Sequence, residues 1–260
     1  MTSPGRPIAP ATPRGGGLAR LTPSGRAIVP LAWATYDFAN TIFSFVVVSG
    51  AIGLWLVEPS QFGERNGNVL LSVAILLSVG LNAIVSPILG AISDRAGRRL
   101  PYLLFFTILC IVPTAFIGST GAFAGLVLFI VANFAYQASL IYYDATLKAV
   151  SYPATRGTLS GVGVAIGYLG TIFSGLLILA LELLFQMPLE LRFVLAAVLY
   201  GLFAIPIFLV VREAPTADGP TLTKADILGS FGQLRITIGH ARAVPGLGRF
   251  LLGRFFYSDA

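Results

Sequence analysis

Asp37 is an acid inside a long apolar run, with Tyr36 beside it and Trp33, Asn40, Thr41 and Ser44 at steps of three and four residues. Such spacing places polar side chains on one stripe of a helix. A carboxylate in lipid is costly unless protein or water answers it, and two kinds of chemistry fit this one. It can exchange a proton, or it can stay ionised and bind the amino group of a small molecule. A third role is structural: hydrogen bonds to neighbouring tyrosine or tryptophan that hold helices together. Asn133 and Gln137, four residues apart in another apolar run, add donors and acceptors of the kind that grip a polar solute. Tyr136 and Tyr143 flank them and Asp144 follows. Close to Ala260, Tyr257 and Asp259 repeat the Tyr36-Asp37 pairing. Each pair stands roughly 12–15 Å into its run at ~1.5 Å per residue.

A different kind of chemistry lies in the stretch Gly90-Ala91-Ile92-Ser93-Asp94-Arg95-Ala96-Gly97-Arg98-Arg99. It joins two apolar runs. Gly90 lets a helix end pack closely on a neighbour, and Asp94 can answer the partial positive charge of a helix N-terminus. Arg95, Arg98 and Arg99 hold the loop at the headgroups. A plain basic loop would need neither the glycines nor the acid. No H-E-x-x-H, G-x-S-x-G or G-x-x-x-x-G-K-[ST] pattern occurs, and no cysteine or histidine cluster is spaced to hold a metal. The chemistry expected is therefore binding and gating rather than catalysis, with no cofactor.

These residues need helices in a bilayer to position them. Hydrophobic residues make up 56% of the chain and charged residues 11%, against about 25% charged in soluble domains. At about 20 residues per crossing, the expected spans are Ile28–Val57, Val69–Ser93, Leu100–Ser119, Ala122–Tyr143, Thr158–Leu184 and Phe193–Val211. Gly118-Ser119-Thr120-Gly121 turns the chain between the third and fourth. Basic residues fall in alternate loops: Arg6 to Arg26, Arg95 to Arg99, Lys148 and Arg156, then Arg212 to Arg249. The opposite loops hold Arg65 and Arg192. The formal charge of +6 thus reports orientation rather than nucleic acid, and it puts the N-terminus inside.

Four regions follow. Residues 1–27, rich in Pro, Gly and Arg, read as a disordered cytoplasmic tail. Residues 28–211 form an all-α, six-helix integral membrane bundle. Residues 212–248 form a cytoplasmic linker, in which Ile227, Phe231, Leu234 and Ile238 share one face of a short interfacial helix. Residues 249–260 begin a seventh span, so the sequence reads as a fragment of a longer protein; a half-size dimer is the alternative. Polar stripes on the first span, on the second (Ser78, Asn82, Ser86) and on the fourth predict that these three line the interior. The third and sixth offer little beyond Thr107, Thr114 and Tyr200 and are expected to face lipid. In the fifth, the G-x-x-x-G pairs Gly157/Gly161 and Gly163/Gly167 predict a close-packing seam.

The Gly90–Arg99 pattern in this setting resembles the signature between the second and third helices of major facilitator superfamily transporters. Trp33-Ala34-Thr35-Tyr36-Asp37-Phe38-Ala39-Asn40 is similar to the W-A-x-Y-D-x-A-N start of that superfamily's vacuole-effluxer-like (autophagy-related) branch. Arg156-Gly157-Thr158-Leu159-Ser160-Gly161, Gly167-Tyr168-Leu169-Gly170 and Arg249–Ala260 resemble its fifth and seventh helices. Tyr143-Asp144 departs from the pattern, which would have Tyr-Asn, and Leu147-Lys148 replaces Leu-Pro. The resemblance implies the N-terminal half of a major facilitator fold, plus the start of a seventh helix, with the second half as partner. It also implies secondary transport of a small solute, an amino acid or similar metabolite, by alternating access and driven by H+ or Na+. Asp37, Asn40, Tyr36, Asn133, Gln137 and Asp259 then become candidate solute or ion ligands. Gly90, Asp94, Arg95, Gly97, Arg98 and Arg99 become a cytoplasmic latch. The implied location is a bacterial cytoplasmic membrane; a non-transporting receptor or assembly protein on the same fold is the alternative function.

Overall fold

The computed structural model describes residues 17–95, 98–213, 239, 246–250 and 253; the side chains of Asp94 and Arg95 lie outside that description. The expected linker helix, Gly97, Asp259 and residues 1–16 likewise lie outside the described residues, so nothing is said of their placement.

Six helices are long and apolar enough to cross a membrane: α1 (Ile28–Val57), α2 (Gly63–Ser93), α3 (Leu100–Ser119), α4 (Ala122–Val150), α5 (Arg156–Phe185) and α6 (Leu189–Val210). In lipid a backbone must satisfy its own hydrogen bonds, and such apolar runs can do so only as helices. Four of them extend past the expected limits. α2 begins at Gly63, α4 continues to Val150, and α5 and α6 start at Arg156 and Leu189. The extra turns carry Arg65, Lys148, Arg156 and Arg192, whose long stems let a helix reach the headgroup layer. Short turns separate the helices. α3 tightens to a 3-10 turn at Ile117–Ser119 before Gly121 opens α4. Gln186 ends α5 in the left-handed region, φ 49°, and Arg192 pairs with Glu182 across that turn.

α1 is not uniform. Ile28–Ile42 is α-helical, Phe43–Ala51 is a π-helix, and Ile52–Val57 is α-helical again. Ser49 Oγ donates to the Ser44 carbonyl at 3.0 Å, a step of five residues that fits the wider turn. Beside this segment lies a hollow of about 330 Å³ lined by Phe45, Ser49, Gly50, Gly175, Glu182 and Arg192 among others.

The packing has an internal symmetry. α1 packs on α5 and α6, α4 packs on α2 and α3, and α3 packs on α6. Exchanging α1 with α4, α2 with α5 and α3 with α6 carries each of these contacts onto another. Two three-helix repeats therefore interlock, as in transporters with nested repeats. The symmetry is imperfect, because α1 also packs firmly on α2 while α4 and α5 barely touch.

Within this half the helices are covered unequally. α2 and α5 are the least buried, with Leu76, Ile84, Tyr168, Leu176 and Leu183 exposed. α3 and α6 are more buried than either, and Thr107, Thr114 and Tyr200 are fully enclosed. A serine in a helix can satisfy its hydroxyl on its own backbone, as Ser72 does on Asn68 and Ser86 on Ala83, so it needs no interior. Van der Waals interlocking drives helix association in lipid, and apolar α3 and α6 supply that.

The tail expectation also needs narrowing. Gly17–Leu21 forms a 3-10 turn that touches α1 and α5. Thr155 donates to the Leu21 carbonyl at 2.9 Å, and Thr22 is buried.

Candidate functional site

Two faces of α1 divide the candidate residues. Tyr36 and Asn40 point into the bundle toward α3 and α6, where both are buried. Thr107 donates to the Leu103 carbonyl at 2.7 Å. Its oxygen is then the acceptor for Tyr36 at 2.7 Å. Tyr200 donates to Asn40 Oδ1, also at 2.7 Å. Each hydroxyl has then used its one proton, so the Tyr36–Tyr200 oxygen contact at 3.2 Å has no donor left. This network holds α1 against α3 and α6, while Asn40 Nδ2 is buried with no hydrogen-bond partner among the described residues. The sequence stripe had joined Asn40 to Asp37; the two stand on different faces.

The other face carries Trp33, Asp37 and Thr41 and meets α5. It rests on a seam of glycines. A Cβ on Gly163 would stand 2.7 Å from the Trp33 ring, and one on Gly170 would stand 2.5 Å from the Phe38 carbonyl oxygen. Thr41 donates to the Gly167 carbonyl at 2.7 Å. The seam is thus Gly163, Gly167 and Gly170. Gly157 and Gly161 have nothing among the described residues within 4 Å of a Cβ position, so among those residues only the second of the two expected G-x-x-x-G pairs is packed. Small residues are what permit this approach, because the backbones meet directly.

Asp37 lies at that seam. Its Oδ2 is 3.2 Å from where a Gly167 Cβ would be. The residue is half-buried, and no donor among the described residues hydrogen-bonds to its carboxylate. The aromatic neighbours that a structural role would recruit are committed elsewhere. Trp33 Nε1 donates to Thr146 of α4 at 3.1 Å, and Tyr36 donates to Thr107. Tyr143 of α4 stacks on both rings, with centroids 4.6 Å from Trp33 and 5.0 Å from Tyr36. Its buried hydroxyl has no hydrogen-bond partner among the described residues. Asp144, exposed at the same level of α4, is close enough to act electrostatically on Asp37. The stack thereby brings one acid from each three-helix repeat to one end of the bundle.

Asn133 and Gln137 are not part of this cluster. Asn133 is buried and donates to Ser78 of α2 at 2.7 Å; Gln137, one turn on, is half-buried.

At the Gly90–Arg99 stretch, nothing among the described residues lies within 4 Å of a Cβ position on Gly90. Arg98 is exposed and Arg99 half-buried. Sequence reasoning missed Glu213, just past the end of α6. Its Oε2 accepts from the backbone N–H of Arg99 at 2.6 Å and of Leu100 at 2.9 Å. Those are first-turn amides of α3, so a carboxylate from α6 answers the helix dipole there. An acid beside Arg212, directly after the last apolar run, was the available signal.

Six membrane-length helices in two interlocked repeats are consistent with half of a major facilitator fold. Comparison with known proteins agrees. Residues 148–260 match the family described as Vacuole effluxer Atg22 like. The chain is 28% identical over 244 residues to the uncharacterized MFS-type transporter YxiO of Bacillus subtilis (strain 168), covering 88% of this chain and 56% of that protein. The chain thus spans little more than half the length of that relative. The chain has six helices long and apolar enough to cross a membrane and is similar to an MFS-type transporter, with an Atg22-like family match over its second part.

Proposed function

We propose that the full-length protein is a secondary active transporter that moves a small amine-bearing metabolite, of the amino-acid kind, across a bacterial cytoplasmic membrane by alternating access. Asp37 is the working carboxylate, binding either the solute's amino group or the coupling cation. One observation carries this reading: an intramembrane acid, half-buried against bare glycine backbone, that no described donor satisfies. An acid kept in lipid for structure alone would be expected to take a hydrogen bond from the tryptophan and tyrosines around it, and it does not.

The parts divide as follows. α1 and α4 present Asp37, Gln137 and Asp144 to the pathway, with Asn133 anchoring α4 to α2. Tyr36 and Asn40 position α1 from behind rather than touching solute. Residues 1–27 and 212–248 lie on the cytoplasmic side with the N-terminus inside, and 249–260 open the second half. Asp259 is the counterpart of Asp37 there. The Gly90–Arg99 loop, with Asp94, Arg95, Gly97, Arg98 and Arg99, latches the cytoplasmic side, and Glu213 ties its far end to α6.

Alternating access is tested at Gln137, near mid-membrane. In the full-length protein stripped of other cysteines, Gln137→Cys should react with a membrane-impermeant thiol reagent from either side. Each rate should change in opposite directions when solute is added. Reaction from one side alone under every condition refutes the reading.

A further inference from the structure

The acid pair narrows the solute, if Asp37 is the working carboxylate proposed above. Asp37 and Asp144 come from different repeats and meet at the Trp33–Tyr143–Tyr36 stack. A second observation there does not depend on the acids. The Tyr143 hydroxyl is buried, with the residue only 3% exposed, and has no hydrogen-bond partner among the described residues. A buried phenol without a partner is unfavourable, and this one lies within electrostatic reach of both carboxylates. Two carboxylates and a phenol oxygen make three acceptors within electrostatic reach of one another. A primary ammonium group presents three donors.

Charge points the same way. Within the six spans the basic side chains stand at helix ends: Arg65, Lys148, Arg156 and Arg192. Among the described residues no basic side chain stands on the central turns of a span. Asp144 is already engaged in this structure, so an arriving ammonium group exchanges for that contact. Asp144 is also the position where the sequence departs from the pattern it resembles, acid for amide.

We propose that Asp37, Asp144 and the Tyr143 hydroxyl together seat the ammonium group of an organic amine with net positive charge, in preference to a zwitterion. Asp37 is shared with any amine-bearing solute; Asp144 selects for the extra charge.

Calorimetry on the purified full-length protein tests this with two probes, 1,4-diaminobutane as dication and L-leucine as zwitterion. The diamine should bind and leucine should not displace it. Asp144→Asn should weaken diamine binding about tenfold or more, the scale of a lost charged hydrogen bond. Asp144→Glu, which keeps the charge, should retain most of it and show that the variants fold. Absence of diamine binding at millimolar concentration overturns the proposal, and so does an Asp144→Asn affinity equal to wild type. Uptake of leucine but not of the diamine into proteoliposomes overturns it too, yet leaves the transporter reading intact. Conversely, a diamine that binds through Asp144 but never crosses supports the site and refutes transport.

Discussion

Replacing Gly170 by alanine puts the α1–α5 seam under a calculable load. The new Cβ would stand 2.5 Å from both the Phe38 carbonyl oxygen and Thr41 Oγ1, and 3.1 Å from Phe38 Cα. Carbon atoms settle at about 3.5–4.0 Å, so α1 and α5 must part by roughly 1 Å. The obstacle is mostly backbone and cannot swing away. Overpacking of this kind costs about 1–3 kcal/mol. Separation also stretches the 2.7 Å Thr41–Gly167 hydrogen bond beyond the useful limit of about 3.2 Å; the Thr41 hydroxyl keeps the Phe38 carbonyl at 3.0 Å, so this adds no more than about 0.6 kcal/mol. Alanine returns about 1 kcal/mol of helix propensity. The net loss should be about 0.5–2.5 kcal/mol. Gly161→Ala is the matched control, because nothing among the described residues lies within 4 Å of its Cβ position, and it should be neutral or slightly stabilising. Reversible unfolding of the full-length protein in mixed detergent–dodecyl sulfate micelles measures both. Equal stability of Gly170→Ala and wild type, or equal loss in the two variants, would refute the seam.

Other consequences follow from the same contacts. Glu213→Ala should lose about 1–2 kcal/mol in that unfolding assay, since two α3 amides fall back on water, and Glu213→Gln about half as much; no change in either sinks the cross-helix cap. Tyr200→Phe should cost about 1–3 kcal/mol by stranding Asn40 Oδ1 while leaving the solute KM unmoved, and a large KM change would return Asn40 to the solute path. A topology reporter after Ser119 should lie outside and one after Ala217 inside, because α4, α5 and α6 intervene; finding both on one side excludes the orientation.

The spans were legible because apolar length is a one-dimensional property. The runs Ile28–Val57 and Leu100–Ser119 coincide with their helices at both ends. Which face of a helix points where is not such a property. Asp37 and Asn40 are three residues apart, and that offset of about 60° sends one to the α5 seam and the other to Tyr200. Glycine spacing had the same ambiguity: Gly157/Gly161 and Gly163/Gly167 are identical patterns, and only α1 behind the second makes it a seam. The contact between Glu213 and Arg99 spans 114 residues, and nothing local announces it. The π-helix at Phe43–Ala51 was likewise invisible, because its composition is that of any apolar helix.

The central claim is that Asp37 works as a charge-bearing ligand, and one measurement addresses it directly. Uptake into proteoliposomes holding the full-length protein is followed across a range of external pH, for wild type, Asp37→Glu and Asp37→Asn. Asparagine keeps the shape and the hydrogen-bonding capacity but cannot carry the charge. The account predicts that Asp37→Asn inserts and folds normally yet loses pH-dependent uptake, while Asp37→Glu retains part of it. Wild-type uptake with an unchanged pH profile in Asp37→Asn would contradict the account and make Asp37 a structural residue.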